Sequence, residues 1–345
     1  MTTKTFTSGN WVGGVWSPVG DPTAADDCQL NGSSGNCVIT AGAVGRSLDC
    51  TGYTNTLSGS QTLAIGDGTT GNVLLVAGMG YTATGTMSLV STASGNTFTS
   101  AGKTIASIVA SGAGAWTQQD ALTLSGAFTL AAGTWTTGGN AITTTAFGIG
   151  GSTTRTLNLG ASVVTCTGLT PLSAVNGRTS VAAGITLNAG TSVIACTDTS
   201  ASGKTIANAD LTWYIFRLTM GGSGAFTFNG AGTFYAIQTT GTPTAITIKF
   251  TISLTITLTS STPLPSGTAG NLVTLNSTSA GTVATLNLSG QTISVDYMSI
   301  KDITVTNGTL YAGVNSTDGG NNTGVVFTSP PTRSSQINRS LIGVG

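Results

Sequence analysis

The chain contains no histidine and no glutamate, and it has little charge of either sign. Its 345 residues include 11 Lys plus Arg and 11 acidic residues, all of them Asp, so that charged residues make up 6% of the sequence. About 25% is usual for a soluble protein. Without His, neither a Ser-His-Asp nor a Cys-His arrangement can form within one chain, and only Asp is left as a catalytic carboxylate. We therefore expect a protein that is not an enzyme; an enzyme of this composition would be an Asp-based glycan hydrolase or lyase.

Long apolar runs and basic clusters are missing as well. The formal net charge is +0 and no group of Lys or Arg is dense enough to neutralise a phosphate backbone, so we expect no nucleic-acid partner. No run of about 18 apolar residues predicts a membrane span, and the first residues lack the apolar core of a secretory signal. Glycine-rich pieces such as GIGGST (148–153) lack the Lys of a phosphate loop, so we expect no cofactor. Assembly in a cytoplasm is the simplest expectation.

Cysteine is sparse and unpaired in its spacing. The five cysteines are Cys28, Cys37, Cys50, Cys166 and Cys196. An odd count without a CxxC pair predicts neither a disulfide framework nor a zinc site. We interpret Cys166 and Cys196 as small buried hydrophobic residues at equivalent positions of a repeat.

Alternation of apolar and hydroxyl residues takes the place of helical periodicity. Glycine occurs 50 times, and threonine is more frequent still. The clearest alternating segment is AITIKFTISLTITLT (245–259), in which Ile, Phe and Leu fall on one face and mostly Thr on the other. This pattern predicts a half-buried strand. Because it exceeds the usual strand of about 5–6 residues, it should bend or pass through a corner.

Internal repeats indicate how the strands are arranged. TLNLGASVVTCTG (156–168) returns as TLNAGTSVIACTD (186–198), and AGKTIAS (101–107) and SGAFTL (125–130) return as SGKTIAN (202–208) and SGAFTF (223–228). Repetition of this kind is typical of a stacked fold in which each unit packs against its neighbours. We predict an all-β right-handed parallel β-helix with capped ends and about 13 turns of 20–25 residues. A β-sandwich or a multi-domain all-β protein is the alternative.

Changes of composition divide the chain. Aromatic residues are concentrated near the N-terminus, LTWYIFRLTM (211–220) packs aromatic residues together, and STPLPSG (261–267) interrupts the alternation with two prolines. The resulting segments are an N-terminal cap (1–25), β-solenoid coils (26–260), C-terminal β coils or a small β domain (261–329) and an extended docking tail (330–345).

Three groups of residues are candidates for binding. The aromatic residues Trp213, Tyr214 and Phe216 are candidates for glycan contact. Asp318, Asn321 and Asn322 in STDGGNNTG (316–324) offer oxygen ligands for a cation, although a single carboxylate makes an Asx-turn the favoured interpretation. In the tail, Arg333, Arg339 and Leu341 are candidates for docking.

A family resemblance completes the sequence evidence. WVGGVWSPVGDPTAADD (11–27), the repeat-rich middle segment, and GTAGNLVTLNSTSAGTVATLNLSGQTISVDYMSIKDITVTNGTLYAGVNSTDGGNNTG (267–324) follow one another in the chain. In this order they resemble repeat-rich β-solenoid proteins of phage virions and tails, and similar bacterial surface proteins. The resemblance implies a structural or host-contacting part of a virion.

Several functions are compatible with these observations. The first is a structural phage virion protein (a fibre, spike, tail-associated or capsid-decorating part) that is assembled in the host cytoplasm and binds other virion proteins and copies of itself, with a trimer as one arrangement. The second is a polysaccharide-binding or depolymerising tailspike that contacts a host surface glycan. The third is a bacterial surface adhesin or an ice-binding protein, the latter suggested by threonine rows such as Thr255, Thr257 and Thr259.

Overall fold

Strands and turns make up the whole of the described structure. The computed structural model describes residues 2–66, 70–150, 153–173, 184–241 and 244–331. No helix occurs among these residues. This agrees with the composition, since threonine favours the extended backbone and glycine interrupts helices.

The strands are short and numerous. In the first part of the chain they are β1 (Thr2–Asn10), β2 (Val15–Ser17), β3 (Asp26–Gln29), β4 (Cys37–Val38), β5 (Val44–Gly45), β6 (Ser47–Asp49), β7 (Thr56–Ser58), β8 (Leu63–Ile65), β9 (Val73–Leu74), β10 (Gly80–Tyr81), β11 (Thr86–Leu89), β12 (Asn96–Thr99), β13 (Thr104–Ile105), β14 (Ser107–Ala110), β15 (Ala115–Gln118), β16 (Leu122–Leu124), β17 (Ala127–Leu130) and β18 (Gly133–Thr136). They continue with β19 (Ile142–Thr144), β20 (Ala146–Gly148), β21 (Arg155–Asn158), β22 (Val163–Cys166), β23 (Leu172–Ser173), β24 (Ile185–Asn188), β25 (Val193–Cys196), β26 (Lys204–Ala207), β27 (Thr212–Thr219), β28 (Phe226–Asn229), β29 (Gly232–Thr240), β30 (Ile246–Phe250), β31 (Thr255–Leu258), β32 (Val273–Ser277), β33 (Ala284–Ser294), β34 (Met298–Lys301), β35 (Ile303–Tyr311), β36 (Thr317–Asp318) and β37 (Val325–Val326).

Parallel pairing between successive turns of the chain builds three sheets. The first follows the order β10-β7-β4-β1-β3-β6-β9-β12-β15-β18-β21-β24, with β2 beside β1. The second runs from β5 to β36, and the third from β13 to β37. Apart from the antiparallel pair β1–β2, these strands pair in parallel. The arrangement is a β-solenoid of about 14 turns, which confirms the predicted fold class and excludes the sandwich.

The shorter sequence repeat corresponds to one turn of the solenoid. Leu157 of β21 pairs with Leu187 of β24, and Cys166 of β22 pairs with Cys196 of β25. The longer repeat is equivalent only in part. The equivalent residues Phe128 and Phe226 both lie in the second sheet, whereas Thr104 lies in the third sheet and Thr205 in the second. The same GKTI motif therefore serves two different sides of the solenoid.

The alternating segment 245–259 passes through a corner and forms two strands. β30 belongs to the second sheet and β31 to the third, and residues 251–254 turn between them. Ser253 adopts a left-handed backbone conformation at this corner, with a φ of 59°. Of the two outcomes that the sequence left open, the corner is the correct one.

The number of strands per turn changes along the chain. From β3 to β26 each turn contributes three strands, one to the arm β3-β6-β9-β12-β15-β18-β21-β24, one to a middle side and one to the second sheet. The middle side is β4-β7-β10 in the first three of these turns and the third sheet in the next five. From β27 onward each turn contributes strands only to the third and second sheets. The aromatic segment 211–220 therefore marks the point where the solenoid loses one side.

The core runs along the interior as stacked apolar side chains. In the three-strand turns Trp116 pairs in register with Trp135, and Phe128 with Phe147. The rings of Phe128 and Phe147 stack with centroids 5.2 Å apart. All of these side chains are buried. Stacking like residues turn upon turn fixes the register, because a shift of one residue would expose the whole row.

The two ends of the chain are built from the same ladders. β1 pairs in parallel with β3 through its first half and with β4 through its second. Trp11 and Trp16 are buried beside it, and the indole nitrogen of Trp16 donates to the backbone oxygen of Trp11 at 2.9 Å. Residues beyond 260 extend the second and third sheets to β36 and β37. That residues 1–25 act as a cap stays a prediction.

Candidate surface sites

Hydroxyl and amide side chains form rows along the outer faces of the sheets. On the first sheet one row runs through Thr97, Thr117, Thr136, Asn158 and Asn188. The Asn188 amide donates to Asn158 Oδ1 at 2.7 Å, and Asn158 Nδ2 donates to Thr136 Oγ1 at 2.9 Å. Such bonds link neighbouring turns and leave a polar, uncharged wall.

The predicted threonine row is only partly continuous. Thr255 pairs with Thr285, which pairs with Thr304, on the third sheet. Thr257 lies between Thr233 and Asn287, and Thr259 follows the end of β31. Because threonine rows occur on other faces too, they do not single out one face for ice binding.

The glycan-contact candidates need correction. Trp213 is 2% exposed and Phe216 is 0% exposed, so both side chains belong to the core and offer almost no surface to a ligand. Their rings pack edge to face with centroids 5.6 Å apart. Only Tyr214 of the three lies on the outer side, where it is half-buried.

Tyr214 has an aromatic partner that sequence reasoning missed. Its ring stacks on that of Tyr235, with centroids 4.6 Å apart and ring planes at 12°. Tyr235 is 40% exposed. A signal for it exists in the sequence, since Thr-Trp-Tyr (212–214) returns as Thr-Phe-Tyr (233–235) after one turn, and Thr212 pairs with Thr233.

A small cavity adjoins the stacked tyrosines. Its volume is about 270 Å³, and its lining includes Leu187, Thr212, Trp213, Tyr214, Tyr235 and Thr259. We call it the tyrosine pocket. It lies at the end of β24, the last strand of its arm of the first sheet. The part of the lining that the structure describes contains no charged residue.

A larger groove of about 500 Å³ follows the outer side of the first sheet along β3, β6, β9 and β12. Asp27, Arg46 and Asp49 are its charged residues. Arg46 donates to Asp27 and, through Nη1, to Thr70 Oγ1 at 3.1 Å. Asp49 Oδ1 accepts from the backbone N–H and the hydroxyl of Thr51 at 2.8 and 2.6 Å. These groups are thus already paired within the protein.

The cation candidates form a local hydrogen-bonded turn. Asp318 Oδ1 accepts from the Gly320 N–H at 2.9 Å and from the Asn322 amide at 2.7 Å. Asn322 Oδ1 accepts from the Ile303 N–H at 3.1 Å, and Asn321 donates to Asp302 at 2.7 Å. The geometry is that of an Asx-turn. Among the described residues no group of three His, Cys, Asp or Glu side chains could hold a metal ion.

Several carboxylates act as hydrogen-bond acceptors at corners. The side chain and backbone N–H of Asn315 donate to Asp296 at 2.7 and 3.0 Å, and these bonds lower the pKa of that carboxyl. Asn321 and the Gly281 N–H lower the pKa of Asp302 in the same way. A general acid needs a pKa raised towards neutrality, and these two shift in the opposite direction.

The cysteines are buried and free. Desolvation raises the pKa of Cys37 to about 12 and that of Cys166 to about 12. At neutral pH these thiols stay protonated, and they are poor nucleophiles in that form.

The docking candidates Arg333, Arg339 and Leu341 lie outside the described residues. No helix in the described ranges is long and apolar enough to cross a membrane. In comparisons with known proteins, no family model, no curated protein and no solved structure matches this chain.

Proposed function

We propose that this chain is a non-enzymatic structural protein of a phage virion: a fibre, a spike, or a tail-associated or capsid-decorating part. In this role its β-solenoid surface contacts the host or the rest of the particle. The observation that carries the proposal is the succession of parallel ladders over about 14 turns. A ladder of this kind holds each turn against the next by backbone hydrogen bonds, whatever the side chains.

The dimensions suit a rigid projecting part. About 14 turns at about 4.8 Å each give a rod of roughly 65–70 Å. Because each turn contacts only its neighbours, such a rod can project from a particle without needing a large globular core.

The chemistry of the surface suits contact more than turnover. Rows such as Thr136, Asn158 and Asn188 offer hydrogen-bonding groups in a regular array. The Asp296 and Asp302 carboxylates are held by hydrogen bonds that favour their charged form. These features support a role in binding, in which a surface is presented and no bond is broken.

The proposal includes assembly in the host cytoplasm, self-association, and docking through residues 330–345. Deleting residues 332–345 should then abolish attachment to the particle and leave the rod folded. Unchanged attachment would show that the tail has no docking role.

The direct test is to determine where the protein is located. Particles are purified from the strain that carries the gene. One sample is digested for peptide mass spectrometry, and another is labelled intact with gold-conjugated antibodies against the recombinant chain. We expect the chain in several copies at one fixed position on the particle. Labelling confined to the bacterial envelope would support a surface adhesin, and absence from both would overturn the proposal.

A further inference from the structure

The tyrosine pocket lies where the solenoid changes its cross-section. β24 ends its arm of the first sheet, and the next turn continues from β27 without a strand on that side. The first residues of β27 and of β29 bring Tyr214 and Tyr235 to the outer surface at this step. The step thus creates a concave place on a wall that elsewhere presents hydroxyl and amide rows.

Tyr235 stands out in this wall. Among the large hydrophobic side chains that the described structure exposes, it is the one aromatic residue. Its stacking on Tyr214 holds the two rings parallel, 4.6 Å apart, and in successive turns. An exposed, pre-oriented aromatic surface needs no ordering on binding, so a ligand that covers it loses little conformational entropy.

The polar groups around the rings are neutral. Thr212 and Thr259 belong to the lining, and residues 189–190 contribute to it beside Leu187. The Thr259 hydroxyl donates to the Phe234 backbone oxygen at 3.4 Å, so it is free to accept from a ligand. A hydroxyl both donates and accepts a hydrogen bond, which suits a ligand rich in hydroxyls. Since none of the described residues that line the pocket is charged, a charged ligand would lose its hydration without gaining an ion pair from them.

We propose that the tyrosine pocket binds one pyranose ring of a neutral polysaccharide. The apolar C–H face of the sugar lies against a ring face that the tyrosine stack leaves free, and its hydroxyl rim bonds to Thr212 and Thr259. The volume of about 270 Å³ is slightly below the roughly 300–1,000 Å³ of pockets for drug-sized ligands, which suits a single ring. The inference does not depend on the virion assignment, because a surface protein of a cell could use the same pocket.

The test is a titration of the full chain with neutral and acidic oligosaccharides of matched length. Binding is measured by calorimetry and by saturation-transfer NMR. Uncharged glucose, galactose and mannose oligomers are compared with oligogalacturonate and hyaluronan fragments. We expect binding by at least one neutral series and stronger binding of neutral than of acidic ligands. No binding by any neutral series, or a preference for the acidic ones, would overturn the proposal.

Variants locate the site. Tyr235→Ala should weaken binding about tenfold or more, because it removes one of the two stacked rings. Tyr235→Phe keeps the ring and should keep most of the affinity. The matched control is Tyr311→Ala, which removes a half-buried tyrosine from the same sheet, paired with Ser294 and Val326 and away from the pocket. Circular dichroism and thermal unfolding check that each variant folds.

Equal loss in Tyr235→Ala and Tyr311→Ala, or no loss in Tyr235→Ala, would place the sugar elsewhere and overturn the assignment. Failure of sugar binding leaves the gold-labelling result untouched, and absence from particles leaves the titration untouched. The two proposals can therefore fail separately.

Discussion

Two regions of the solenoid, residues 26–207 and residues 212–318, form the same parallel ladders from strands of different length. In the first region the strands have two to four residues, and each turn bends between three sides. In the second region the third sheet contains strands of eight to eleven residues, namely β27, β29, β33 and β35. In these turns a longer strand on one side replaces two short strands and the corner between them, whereas β31, which lies between β29 and β33, has four residues.

The core changes with the cross-section. In the first region Trp135 reaches from the first sheet to Phe128 of the second, with centroids 5.0 Å apart. In the second region Phe216 and Phe234 of the third sheet meet Phe228 of the second directly, edge to face, with centroids 5.6 and 5.4 Å apart. With one side gone, the remaining sheets face each other, and phenylalanine rings meet directly across the core, with Trp213 packed against Phe216.

The largest expected effect comes from removing these rings. Trp135→Ala and Phe216→Ala should each lower the free energy of unfolding by about 3–5 kcal/mol, because each leaves a cavity in a packed core. Because turns contact only their neighbours, the loss of hydrogen-exchange protection should stay within about one turn on either side. Denaturant titration and exchange mass spectrometry measure the two effects.

Two controls sharpen this prediction. Thr134→Ala changes an outward residue of the same strand and should alter stability by less than about 0.5 kcal/mol. Trp135→Phe should cost less than Trp135→Ala, since the Trp135 indole N–H has no hydrogen-bond partner among the described residues. Protection lost evenly along both regions would contradict the turn-by-turn picture and indicate one cooperative unit.

A smaller effect is expected when a methyl group is added to a glycine of the first region. Its size should depend on whether the glycine lies at a packed corner or in an open turn. At Gly133 the φ is 70°, and a methyl group would collide with the carbonyl oxygens of Gly114 and Gly112 in the preceding turn. At Gly139 the φ is 84°, but the space around it is open. Gly139→Ala should therefore cost about 1–2 kcal/mol for backbone strain alone. Gly133→Ala should cost about 2–5 kcal/mol, because overpacking adds to that strain. Denaturant unfolding measures both costs. If the two substitutions lowered the free energy of unfolding equally, the turns at this corner would be able to move apart and make room for the methyl group.

The fold could be predicted from sequence because short segments of the sequence determine which residues pair between neighbouring turns. The repeat around Cys166 and Cys196 identifies residues that pair in neighbouring turns, and alternation gives the strands. The loss of a side after residue 207 could not be predicted, because alternation shows which residues share a face and does not show how many faces a turn has. For the same reason, the alternation in residues 245–259 did not show whether the strand bends or passes through a corner.

The candidate site was harder to predict for a related reason. Trp213, Tyr214, Ile215 and Phe216 are four consecutive apolar residues, so a period of two cannot decide which of them point outward. The structure buries Trp213 and Phe216 and leaves Tyr214 and Ile215 between them half-buried, so the alternation is interrupted within β27. Identifying Tyr235 required the stacking of turns, which brings together residues 21 positions apart (235 minus 214).

The smallest difference between the regions is expected in acid, at the last turns. Asp302 accepts hydrogen bonds from Asn321 and from the Gly281 N–H, at 2.7 and 3.0 Å, and both lower its pKa in the folded state. A carboxyl with a depressed folded pKa contributes stability above its unfolded pKa of about 3.9, and this contribution is lost as the pH falls through the folded pKa. Hydrogen bonds from Thr23 and Ser200 lower the pKa of Asp26 and Asp198 in the first region as well. Residues 133–158, in contrast, contain no acidic residue, and their corners rely on neutral groups such as the buried Thr137.

Hydrogen exchange at pH 6 and at pH 2.5, corrected for the intrinsic exchange rate, should therefore show β33 to β36 losing protection before β18 to β21. Asp302→Asn removes the titrating group and keeps a residue type that tolerates the φ of 59° found there, so it should weaken the pH dependence of the last turns. Asp318→Asn, an exposed neighbour in an Asx-turn, should leave that dependence in place. If acid loosened both regions together in every variant, the carboxylate at Asp302 would not distinguish them, and the acid response would have to come from charge repulsion spread over the whole rod.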